Sequence, residues 1–250
     1  MINLKTTREL RYMRDAGKIS QEALLKAGEA VRPGVSTLEL DKIVRRTIEK
    51  AGAVPSFLGY GGFPASACIS VNNVVIHGIP SAHEILKEGD IVSIDVGAIY
   101  EGFNGDNAWT FPCGKVSEEV QKLMDATRES LFLAIEKAVP GNRIGDIGST
   151  VQQYVEARNY SVVREFVGHG VGAKLHEDPS VPNYGTPGRG VRLLPGMTIA
   201  IEPMVTQGSC EVKILKDGWT TVTKDGKLAA HFEHSIAITP DGPVILTSLD

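Results

Sequence analysis

The chain has 250 residues, 42% of them apolar and 22% charged, with a formal net charge of −4. That length allows a sizeable buried core, and the mildly acidic balance offers no basic footprint for nucleic acid or an anionic membrane. Cys68, Cys113 and Cys210 are odd in number, far apart and without CxxC spacing, which argues against a disulfide framework or a thiolate zinc knuckle and fits a reducing cytoplasm.

The first residues, MINLKTTREL, carry no apolar leader pattern, and no apolar run approaches membrane-spanning length. The expectation is a cytoplasmic, monomeric protein. Thr6-x-x-Glu9 is a capping box ahead of Leu10, Met13, Ile19, Ala23, Ala27 and Ala30, which recur at helical spacing. Ser36-x-x-Glu39 opens a second helix through Leu40, Ile43, Val44 and Ile48, closed by Gly52. Residues 90–100 read as a buried strand despite Asp95, and Asp106 lies in a second apolar stretch beyond a Gly-rich turn. A hairpin centred near Tyr100–Glu101 sets the two aspartates opposite each other, where like charges repel unless a cation lies between them. Asn104-Gly105 is a competing turn. Helices are expected from Ser117 to about Ala138 and from Gly145 to about Arg158, with strands around them and tight turns at Asp217-Gly218 and Asp225-Gly226.

An internal repeat organises these elements. RPGVSTLEL at 32–40 resembles VPGNRIGDI at 139–147, and KEGDIVSID at 87–95 resembles LPGMTIAIE at 194–202, both at an offset of 107. Two related halves, about 1–110 and 111–250, are expected to pack as one domain about a pseudo-two-fold. The repeat maps Asp95 onto Glu202. Ser93 and Ala200 stand two residues before them, so each acid projects from a strand face kept free of bulk. VIHGIP at 75–80 and KLHEDP at 174–179 share H-x-x-P, which makes His77 and His176 counterparts.

Asp95, Asp106, His169, Glu202 and Glu233 form the candidate metal set. Four carboxylates balance two divalent cations, with two acids bridging and one imidazole completing the shell. Hard oxygen ligands with one nitrogen and no thiolate suit Mn, Fe, Co or catalytic Zn. Two other motifs fail on context. Gly168-x-Gly-x-x-Ala173 is followed too soon by Pro179 and Pro182 for a dinucleotide helix, and His176-Glu177 lacks the second histidine of a zinc-protease helix.

FVGHGVGAKLHEDPSVPNY at 166–184, SVNNVVIHGIP, GDIVSIDVGAIYEGFNGDNAWTF, AIEPMV and DGWTTVTKDGKLAAHFEH together resemble the type I methionine aminopeptidases of the short bacterial form, over essentially residues 6–246. The resemblance implies an α+β pita-bread fold, pseudo-two-fold halves around a central antiparallel sheet, and removal of the initiator methionine from nascent polypeptides with a small second residue, near the ribosome. It implies that Asp95, Asp106 and Glu233 hold one metal and Asp106, His169, Glu202 and Glu233 the other. His77 then contacts substrate, His176 bonds the reacting carbonyl, and Glu202 moves a proton. Phe57, Tyr60, Phe63, Cys68 and Trp219 match the methionine pocket. Leu175, Asn73 and Ile76 depart from the usual pattern. His83 is expected on the surface, and His231 and His234 behind the ligands or in solvent. The alternatives are an Xaa-Pro aminopeptidase or dipeptidase of the same fold, and a non-catalytic binding module.

Overall fold

The computed structural model describes residues 2–249. Helix α1 spans Thr7–Glu29 and α2 spans Thr37–Lys50, each opened by a complete capping box, Thr6 with Glu9 and Ser36 with Glu39. Helices α3, Glu118–Glu136, and α4, Ile144–Glu156, follow the hairpin. The helices cover one face of a nine-stranded sheet. Its central order runs through Ile91–Tyr100, Phe103–Pro112, Glu233–Thr239, Thr198–Ile201, Gly168–Gly170 and Glu177–Val181, every neighbouring pair antiparallel.

Strand alternation separates core from site. Val92, Ile94 and Val96 point to the helix side, where they pack with Leu24 and Ala27 of α1 and Leu40, Val44 and Ile48 of α2. Ile199, Ile201, Ile236 and Ile238 do the same beneath α3 and α4, against Leu131, Ile147 and Val151. Each such side chain contributes about 1.5–3 kcal/mol on burial. That aggregate holds in place a second face which carries acids instead of apolar groups.

The repeat is visible in the hydrogen bonds. Gly34 donates to the Leu86 carbonyl and Leu86 to that of Val35, at 2.9 and 2.8 Å. The same pair recurs at 3.1 and 2.8 Å, from Gly141 to Leu193 and from Leu193 to Asn142. The bridges Ser36 to Ile85 and Arg143 to Arg192 are likewise 107 residues apart, as are the first residues of α2 and α4.

The hairpin turn lies one residue later than expected, which shifts the pairing by two residues. The two-residue turn is Glu101-Gly102, with φ of 50° and 79°, the left-handed pair that matches strand twist. Asp95 therefore faces Ala108, and Asp106 faces Gly97. The aspartates are diagonal neighbours on one face. Asn104-Gly105 makes no turn: a Cβ at Gly105 would lie 2.3 Å from the Gly17 nitrogen of α1. Asn104 ties the loops, accepting from Ser56 Oγ at 2.8 Å and donating to the Gly172 carbonyl at 3.0 Å.

Candidate metal centre and adjoining pocket

Five neighbouring strands of the sheet deliver the five candidate ligands. Asp95 and Asp106 come from the two arms of the hairpin, Glu233 opens the next strand, Glu202 follows Thr198–Ile201 directly, and His169 lies in Gly168–Gly170. Cys68, Asp95, Ala108 and Glu233 form one row across four strands. The small Ala108 thus leaves open space between two carboxylates. Ser235 accepts the Asp106 backbone N–H at 3.3 Å and donates to its carbonyl at 2.7 Å, which locks the Asp106 strand to the Glu233 strand.

The side chains converge. His169 Nε2 lies 3.6 Å from Asp106 Oδ2 and 3.6 Å from Glu202 Oε1. Ligand atoms of Asp106, His169 and Glu233 all fall within 4.8 Å of one another. Asp95 Oδ1, Asp106 Oδ1 and Glu233 Oε1 are buried with no hydrogen-bond partner. Among the described residues lining the cavity there is no Lys or Arg to balance these acids. Burial, then repulsion from Asp106 and Glu202, pushes the Asp95 carboxyl well above its usual range. Burial and Glu202 do the same to Asp106. Burial followed by Asp106, Glu202 and Asp95 raises Glu233, and burial lifts Glu202 to about 8. His169 is driven down to about 4, chiefly by burial and next by His176, so its imidazole is neutral and free to ligate. Orphaned hard oxygens around one neutral nitrogen are a donor set that divalent cations satisfy. The Cys68 thiol is raised well above its ordinary value by burial and by Asp95, which keeps it protonated and outside that set.

Beside the acids opens a cavity of about 340 Å³, within the usual size range for small-ligand sites. Phe57, Phe63, Cys68 and Leu175 form its buried apolar cluster, with Trp219 packed against it. Trp219 meets Phe63 edge-on at 5.2 Å. Asp41 of α2 accepts from the backbone of Ser66 and Ala67 at 2.8 and 3.0 Å, fixing the strand that carries Cys68. Tyr60, half exposed at the mouth, places its hydroxyl 2.8 Å from His176 Nδ1. The His176 ring lies 4.2 Å from that of His169. His77 has a φ of 59°, a conformation costly for a residue with a side chain, and its ring packs against Phe166 and Trp219. Burial lowers His77 to about 4.

All twelve residues singled out in the sequence line this one cavity. Leu175 and Ile76, two of the departures, line it as well, whereas Asn73 does not. The solvated alternative for His231 and His234 is corrected: they are 1% and 6% exposed. His234 pairs with Thr247 Oγ1 at 2.9 Å. For His231 the other expected place, behind the ligands, is where the structure puts it: its Nε2 lies 3.6 Å from Glu202 Oε2. The only signal available was its position two residues before Glu233.

The profile of Metallopeptidase family M24 matches residues 11–240. A methionine aminopeptidase of Clostridium perfringens is 59% identical over 247 residues, covering 99% of each chain. The crystal structure of a methionine aminopeptidase from Thermotoga maritima superposes with a TM-score of 0.98 at 47% identity, over 99% of this chain and 100% of that one. A prolidase from Pyrococcus furiosus superposes with a TM-score of 0.78 at 26% identity, over 99% of this chain but 66% of its own. The architecture is the pita-bread fold that these peptidases share.

Proposed function

As the chain belongs to metallopeptidase family M24, we propose that it removes the N-terminal methionine from nascent polypeptides whose second residue is small. The observation that carries this reading is the convergence of orphaned carboxylate oxygens on the wall of an apolar, aromatic cavity. The full-length match to a Clostridium perfringens methionine aminopeptidase favours it over the prolidases. No described helix is long and apolar enough to cross a membrane. A cytoplasmic monomer of one domain, acting on chains close to the ribosome, completes the reading.

Asp95, Asp106 and Glu233 would hold one divalent cation, and Asp106, His169, Glu202 and Glu233 a second, with Mn, Fe, Co and Zn all compatible with the donors. Such a pair, when bound, supplies Lewis-acid polarisation and acidifies water. The protein's own groups do the rest. Phe57, Tyr60, Phe63, Cys68 and Trp219 enclose an unbranched thioether chain, which makes favourable sulfur–aromatic contacts. His77 lies at the wall of that pocket and contacts the substrate near the cleaved bond. With Nδ1 of His176 engaged by Tyr60, its Nε2 is left to donate to the scissile carbonyl. Glu202, between cavity and imidazole, carries the proton from water to the leaving amine.

The test is a peptide panel on manganese-loaded protein. Met-Ala-Ser should be cleaved and Met-Lys-Ser should not. Equal rates on these two would remove the small-residue claim, and preferential cleavage of Xaa-Pro peptides would assign the chain to the prolidase activity. His176→Ala should lower kcat on Met-Ala-Ser by roughly 10²–10³-fold, the usual cost of one oxyanion donor, with metal content unchanged. Parental turnover in that variant would eliminate the donor role.

A further inference from the structure

The Nε2 atom of His231 is buried and without a hydrogen-bond partner, as are three carboxylate oxygens of the site. It lies 3.6 Å from Glu202 Oε2 and 4.0 Å from Glu233 Oε2. A buried imidazole nitrogen left unpaired is costly, and the groups facing this one are carboxylates. The placement is also built. The His231 N–H donates to Thr110 Oγ1 at 3.0 Å, and its carbonyl accepts from the same hydroxyl at 2.8 Å. Thr110 Oγ1 in turn lies 2.8 Å from Ser93 Oγ. Thr110 and Ser93 face each other across the hairpin that carries Asp106 and Asp95. One hydroxyl pair thereby ties the backbone of His231 to the strands of both aspartates, while Phe232, next in sequence, anchors in the helix-side core.

Glu202 consequently lies between two imidazoles, with Oε1 towards His169 and Oε2 towards His231. Oε1 is the oxygen that shares His169 with Asp106. We propose that His231 is a positioning residue for Glu202. Its Nε2–H donates to Oε2 and turns Oε1 towards the cation held with His169 and Asp106. A donor on the outer oxygen fixes carboxylate orientation and costs about 10–100-fold in metal affinity when removed. This assignment rests on the metallopeptidase reading above.

The experiment is calorimetric titration of manganese into the metal-stripped full-length chain and its variants, with circular dichroism to verify folding. His231→Leu should bind manganese about 10–100-fold more weakly, and His231→Gln, which keeps an amide N–H at similar reach, should recover to within about threefold of the parent. Should His231→Leu fail to fold, His231→Met takes its place. Parental affinity in the apolar variant overturns the proposal. Equal losses in the apolar and Gln variants also overturn it, because the imidazole would then be ligating or filling space. An Asp106→Asn control separates the two levels: if it too binds manganese like the parent, the metal centre itself is refuted, and the role of His231 with it.

Discussion

Asp106→Asn is expected to lower hydrolysis of Met-Ala-Ser by at least about 10³-fold while leaving the fold intact. Asparagine keeps the volume and planar shape of the side chain, so the row of small residues around it, Gly97 opposite and Ser235 on the next strand, is undisturbed. What it removes is one negative charge and the oxygen pair that faces both His169 and the open centre of the site. Without cations, water is roughly nine decades less acidic than when it is metal-bound. Loss of the ions therefore leaves a very large deficit. The measurement is kcat alongside metal content and a thermal melt. A variant that keeps more than about a tenth of parental turnover with two bound ions would show that Asp106 is dispensable to the centre, in conflict with its expected bridging position.

The helices and the site face were readable in the sequence for local reasons. Capping boxes at Thr6 and Ser36 are set by residues three apart, and they appear in the structure as written. Asp95 was conspicuous because an acid between Ile94 and Val96 breaks an apolar strand, and the offset of 107 carried the same anomaly to Glu202. The register of the hairpin was less accessible. Both Asn104-Gly105 and Glu101-Gly102 have turn chemistry, and only the crossing of α1 over Gly105 explains why the first is drawn into a strand. The choice for His231 between a place behind the ligands and solvent was open in the sequence for another reason. That histidine sits in a three-residue strand, Ala229–His231, of a separate small sheet, too short for alternation to reveal which way its ring points. The bond from Tyr60 to His176 joins residues 116 apart, and no local pattern encodes it.

The metal-free protein should become markedly less stable as pH rises from about 5 to about 8, whereas the manganese-loaded protein should not. The sign follows from the direction of the carboxyl shifts. In the unfolded chain Asp and Glu titrate near pH 4, about 3.9 and 4.3. In the fold, burial lifts Glu202 to about 8, and burial with mutual repulsion raises Asp95, Asp106 and Glu233 well above their usual range. A carboxyl whose folded value is raised contributes stability that is complete below its unfolded value and is lost as pH climbs through the folded one. At about 1.4 kcal/mol per unit, Glu202 alone accounts for a loss on the order of a few kcal/mol across that window. Divalent cations reverse the trend, since ligation requires deprotonated acids and strengthens as pH rises. Thermal melts of stripped and loaded protein at pH 5, 6.5 and 8 should diverge, the gap between the two midpoints widening with each step. Parallel curves would mean that the four acids are already paired with cationic groups within the apo fold. A carboxylate engaged in an ordinary ion pair would give the opposite slope, with stability lost towards acid, so the sign of the pH dependence alone distinguishes a centre built for cations from a network of internal salt bridges.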